Sequence, residues 1–167
     1  MKKKENLLSD AVKGGIAGVP GTIVLTAAVK LGPTLLRQMG IDAPEPPAKA
    51  KQNEPPKKLA QKIAKGAFDT KLNKQEQEAA AQALHWGYGV GWGVYYGVMQ
   101  HILHLPFVVH GTLLGGVMTT AALVLVPAMG IAPPAEKVPT NQKVMQAFFI
   151  MLYSWTTALV YRLLSRE

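Results

Sequence analysis

Fifty-seven consecutive residues, Ala79 through Ala135, contain no Asp, Glu, Lys or Arg. A chain of 167 residues that folds in water can hide short apolar helices, but it cannot cover an uncharged run of that length and stay dispersed. Crossing a hydrocarbon core of ~30 Å takes roughly 20 predominantly apolar residues, so the run is long enough for two crossings. Two shorter uncharged runs, Gly14 to Val29 (16 residues) and Val144 to Tyr161 (18 residues), supply one each. The expected fold is all-α: one domain, an integral membrane bundle of about four transmembrane helices, because helices satisfy their own backbone polar groups in lipid.

Punctuation in the sequence sets the boundaries. The first span is expected over about 11–31 and continues as GPTLLRQMG, with Pro20 able to kink it and Lys30 placed to snorkel to the interface. Residues 42–56 (DAPEPPAKAKQNEPP) read as an extended, solvated connector. Over 57–72 the apolar residues Leu59, Ala60, Ile63, Ala64, Ala67, Phe68 and Leu72 share one side and the lysines the other. This is the pattern of a basic amphipathic helix lying in the headgroup region, or packed on a protein partner. Asn73 with Glu76 forms a capping box that starts the second span, about 79–105. Pro106 opens the third, about 107–126, which Pro127, Pro133 and Pro134 end; the fourth runs over about 143–164.

The net charge of +8 fits a membrane surface better than a nucleic acid, since only Arg37, Arg162 and Arg166 among the 18 basic residues are arginines. Lysine-rich flanks on apolar helices match anionic lipid headgroups, the first expected partner. The basic opening MKKKENLLSDAVKGG has the flavour of a signal peptide, but Gly18, Pro20 and Gly21 break the apolar stretch, so a retained helix is expected. With four crossings, 6 basic residues fall on the side of the termini and 12 on the other. The positive-inside rule then places the termini outside, whereas a lysine-tipped first helix more often keeps its N-terminus in the cytoplasm.

The second span, QALHWGYGVGWGVYYGVMQHILH, carries most information. At 100° per residue, Gln82, His85, Trp86, Gly89, Gly93, Tyr96, Gln100 and His104 project to one side. Lipid cannot satisfy those polar groups, so the face is expected to look inward. Gly89, Gly93 and Gly97 recur every fourth residue and allow a second backbone to approach, from this chain or from another. Gly111 and Gly115 form a similar strip in the third span. In the fourth, Gln146, Tyr153, Ser154, Thr157 and Tyr161 share a side, so the expected interior is mildly polar.

His85, His101, His104 and His110 are the groups of the long run that titrate near neutral pH. His85 and His101 stand roughly 24 Å apart along a helix. Interfacial hydrogen bonding is the plainest role for the four. They could also ligate haem or a chlorophyll-type pigment, relay protons, or hold a metal at His101, His104 and His110, where no carboxylate is near in sequence. No cofactor and no metal is the leading expectation.

Catalysis finds little foothold. The uncharged spans hold no carboxyl pair for acid–base work, and the chain has no cysteine for thiolate chemistry or covalent haem attachment. Ser154, the serine within the fourth span, has no elbow motif or base nearby.

The landmarks AGVPGTIVLTAAVKLG with a downstream PP, HWGYGVGWGVYYG, HGTLLGG, VPAMGIAPP and a last span with a basic end occur in that order. In this layout the chain resembles the uncharacterised bacterial inner-membrane proteins related to enterobacterial YagU. The resemblance implies a small multi-span protein of the inner (cytoplasmic) membrane, of unknown molecular function and tied to acid tolerance. It supplies no catalytic residues, and the Lys- and Pro-rich connector departs from it.

The leading expectation is a non-catalytic, accessory or structural membrane component. It would pack with other membrane protein subunits, with itself or with lipids; no nucleic acid is expected. Two other functions stay open: a proton-linked transporter or channel lined by Gln82, His85, Tyr96, Gln100, His104 and Tyr153, or a haem- or pigment-binding subunit.

Overall fold

The computed structural model describes residues 6–40 and 54–165, all of whose regular structure is helical. The helices are α1 (Leu7–Gln38), α2 (Glu54–Phe68), α3 (Lys74–Leu103), α4 (Phe107–Ala128) and α5 (Thr140–Leu164), with a short 3₁₀ turn at Ala135–Lys137. Three of them, α1, α4 and α5, are long and apolar enough to cross a membrane. That is one fewer than the four expected. Helix α3 is uncharged from Ala79 onward, but its Gln, His, Tyr, Trp and Gly residues give it too little apolar character by that measure. The connector expected over 42–56 lies outside the described residues except for 54–56, which form the first turn of α2. Prolines are tolerated there because first-turn amides have no helical acceptor.

Local chemistry sets the helix ends. Asn6 caps α1 by accepting from the amides of Leu8 (2.7 Å) and Ser9 (3.1 Å). The capping box of α3 is complete: Asn73 accepts from the Glu76 amide at 2.9 Å, and Glu76 accepts from the Asn73 amide at 2.8 Å. At the other end of α3, His104 takes a left-handed conformation (φ 49°), which ends the helix before Pro106 opens α4.

Helix α1 runs unbroken through Pro20 and Pro33 and sits between α3 and α5; α5 in turn packs on α4. The order across the layer is α3, α1, α5, α4. Helices α3 and α4, neighbours in sequence, meet mainly around their short turn and then diverge. The expected four-helix bundle thus takes the form of an open row with α1 between α3 and α5.

Small residues explain the insertion. A Cβ on Gly18 would lie 2.6 Å from the Gly89 carbonyl oxygen, and one on Gly93 would lie 2.8 Å from the Gly18 Cα. The other side of α1 meets α5: a Cβ on Gly21 would lie 2.9 Å from the Tyr153 ring, and one on Gly32 2.9 Å from Phe149. Only backbones stripped of side chains come this close, and dispersion along such a seam holds membrane helices together. Gly111 and Gly115 play the same part between α4 and α5, against Trp155 and Met151.

Helix α2 lies across the far end of the row. Ala60 and Ala64 are buried, Lys57 pairs with Glu78 of α3 at 2.9 Å, and Lys62 donates to the Met129 carbonyl at the end of α4 (2.6 Å). Its small apolar face is thus packed on this chain itself, while Ile63 remains exposed.

Candidate functional site

The start of α1, the end of α3, the start of α4 and the end of α5 converge at one end of the row, where the buried Asp10 and His110 lie. Asp10, in the first turn of α1, is 2% exposed. Its Oδ2 accepts from His101 Nδ1 at 2.7 Å. The carboxylate fixes the donor at Nδ1 and leaves Nε2 as the other ring nitrogen. One turn of α1 further on, the glycine seam fits against α3, which holds the pair at fixed separation.

A second network lies beside it. Gln100 donates from Nε2 to the Leu105 carbonyl (2.9 Å), so its Oε1 is the acceptor for His110 Nδ1. The buried His110 ring stacks on Tyr96 with centroids 4.3 Å apart, and Tyr96 meets Tyr161 edge-on at 5.3 Å. Side chains here join α3 to α4 and α5, whose backbones approach that of α3 at few points.

Other predicted residues lie elsewhere. His85 is at the opposite end, bonded at 3.0 Å to Thr26 Oγ1. That hydroxyl donates to the Thr22 carbonyl, so the imidazole Nε2–H is the donor. His104 is exposed, its side chain thrown outward by the left-handed backbone, and its ring lies 6.4 Å from His101. Gln82 and Gln146 are exposed rather than interior, because each sits near the start of its helix, away from the contacts of α1 with α3 and α5. Tyr153 and Thr157 are fully buried, and the Tyr153 hydroxyl donates to the Gly89 carbonyl at 2.5 Å. No group of three His, Cys, Asp or Glu side chains is arranged to hold a metal among the described residues.

Asp10 stands one residue before the expected first span and outside the uncharged runs, and neither fact is a sign of burial. Its one sequence signal is its place a turn before the glycine strip Gly14 and Gly18. Arg162 is the other unforeseen participant. Its guanidinium lies 4.7 Å above the Phe107 ring and beside a cavity of about 480 Å³ lined by Tyr96, Gln100, Phe107, Tyr161, Arg162 and Ser165 among others. Further along the gap between α3 and α4 runs a second, largely apolar groove of about 600 Å³, walled by Trp92 on one side and by Thr112 to Leu125 of α4 on the other.

In comparisons with known proteins, a family model described as "Protein of unknown function (DUF1440)" matches residues 34–159. No curated protein and no solved structure matches the chain.

Proposed function

The chain belongs to that family of proteins of unknown function, DUF1440, and from this premise we propose a multi-pass, non-catalytic component of a bacterial inner membrane, related to YagU, that packs with other membrane proteins or with itself. Helix α3 crosses as a fourth span in this reading. It is paired along its length with α1, which covers its polar and glycine-rich face, and α1 is itself apolar enough to cross.

One observation carries the packing role. Helix α3 bears two glycine strips, and only one is used within the chain. Gly89, Gly93 and Gly97 are buried against α1, whereas Gly87 and Gly91 are exposed and a Cβ on either would meet nothing within 4 Å. Two residues along a helix is about 200°, so the unused strip faces away from the row. Trp86, Tyr88 and Tyr95 are also exposed on this helix. Small residues on an outward face admit a second helix at close range.

The non-catalytic reading rests on the sequence, whose uncharged spans hold no carboxyl pair; the Ser154 hydroxyl donates to the Ile150 carbonyl (2.9 Å). The test is the mass of the purified protein in mild detergent. Wild-type protein is expected as a dimer or a defined complex, and G87L/G91L as a monomer with unchanged helix content. A wild-type monomer that co-purifies with nothing would remove the basis of the proposal.

The buried Asp10–His101 pair favours a second function, proton-linked transport. It supplies a carboxylate that the uncharged spans lack. The closed glycine seam between His101 and His85 leaves that pair without a water path along α3, which is why it ranks second. Proton flux in proteoliposomes that D10N and H101Q abolish would reverse the ranking; no flux in the wild type would end it.

A further inference from the structure

We propose that the gap between α3 and α4 is a binding site for one anionic phospholipid, with the headgroup phosphate at Arg162 and an acyl chain along α4. The proposal rests on the membrane-spanning reading above and concerns a different face of α3 from the outward glycine strip.

Three observations converge. Arg162 has no acidic partner among the described residues, and its guanidinium lies over the face of Phe107. A guanidinium that meets a ring through its carbon retains N–H donors, and their fork matches a phosphate better than a point charge would. The cavity beside it mixes the Tyr96 and Tyr161 rings and Ser165 with the apolar Leu105, Pro106 and Val108, a lining that suits a glycerol and ester region. Arg162 lies close to the end of α5, where a cation reaches the headgroup layer.

The second groove begins one turn further along both helices: Trp92 is one helical turn from Tyr96, and Thr112 is one turn from Val108. From Thr112 to Leu125 the wall on α4 is about 20 Å long by the helical rise. One leaflet of a ~30 Å hydrocarbon core is about half that thickness, so a single acyl chain fills the groove. The wall is shallow because Gly116 has no side chain, and a Cβ there would meet nothing within 4 Å. Trp92 closes the α3 side, held edge-to-face by Tyr88 and Tyr95 at 5.8 and 5.5 Å. Splaying a hairpin joined by three residues leaves an apolar gap, and a lipid chain covers that gap without a further protein element.

The experiment uses full-length protein in detergent, titrated with phosphatidylglycerol or phosphatidylcholine carrying brominated acyl chains. The background is W86F/W155F, so that Trp92 is the remaining tryptophan. Bromine in the groove quenches Trp92. Phosphatidylglycerol is expected to quench at lower concentration than phosphatidylcholine, and R162Q to weaken it by about tenfold or more, the loss of one charge-assisted contact to phosphate. G116F, which fills the groove without meeting the chain, is expected to abolish quenching by both lipids while leaving Arg162 in place. Equal quenching by the two lipids, or an unchanged response in R162Q, would overturn the headgroup assignment. Unchanged quenching in G116F would overturn the groove. Alkaline carbonate extraction of native membranes separates the two failures: protein released by carbonate fails the membrane reading itself, whereas protein retained without lipid preference fails the lipid site alone.

Discussion

Replacing Gly93 with alanine adds one methyl group at a backbone-to-backbone contact between α1 and α3. The new carbon would lie 2.8 Å from the Gly18 Cα and 2.9 Å from the Gly18 nitrogen. Carbon contacts settle at about 3.5–4.0 Å, so the two helices must part by roughly 1 Å. The obstacle is backbone, which cannot rotate aside as a side chain can. A gap of that size forfeits about a quarter to a half of the dispersion energy of each atom pair along the seam. Overpacking of this kind destabilises by about 1–3 kcal/mol. The internal control is G91A on the outer face, where the methyl meets nothing within 4 Å. There the gain from replacing glycine inside a helix is about 0.5–1 kcal/mol. Both variants, unfolded by SDS titration in mild micelles and followed by circular dichroism, are expected to shift in opposite directions. A double variant G18A/G93A is expected to lose less than the sum of its parts, because one separation relieves both methyls. A G93A protein as resistant as G91A would refute the backbone contact between α1 and α3, and with it the order of the helices.

Three other perturbations probe separate contacts. Y153F removes the hydrogen bond to the Gly89 carbonyl and is expected to cost about 1 kcal/mol in the same titration, since the acceptor is left buried. D10A strands His101 at the end of α3 and is expected to cost about 1–3 kcal/mol, with D10N losing less because its amide oxygen still accepts from Nδ1. K62Q removes the ammonium from the Met129 carbonyl, and hydrogen exchange of the α2 amides is expected to quicken while that of α5 is unchanged.

Local signals were legible in the sequence and long-range ones were not. Asn73 and Glu76 announce the start of α3, and Pro106 announces α4, because capping and φ restriction act within a few residues. The strip Gly89, Gly93 and Gly97 could be read as a tight contact but not assigned a partner. Gly14 and Gly18 lie more than 70 residues away, and nothing local distinguishes them from Gly111 and Gly115. The short turn after Leu105 argues for packed neighbours, yet α3 and α4 diverge because α1 and α5 compete for the same faces. Helical projection places His104 with the polar face, but a left-handed φ at that residue turns it outward. Of the candidate site, His101, His110, Gln100 and Tyr96 could be named from the sequence. Asp10 could not, since its burial comes from the fold rather than from its neighbours.

The chain crossing the bilayer four times is the claim on which the rest depends, and the absence of cysteine makes it directly measurable. Single cysteines at His104, Ser165, Lys71 and Glu136 can be tested in intact inverted and right-side-out vesicles with a membrane-impermeant maleimide. The account expects His104 and Ser165 positions to label from one side and Lys71 and Glu136 positions from the other. Labelling of positions 71 and 104 from the same side would show that α3 does not cross, and would contradict it.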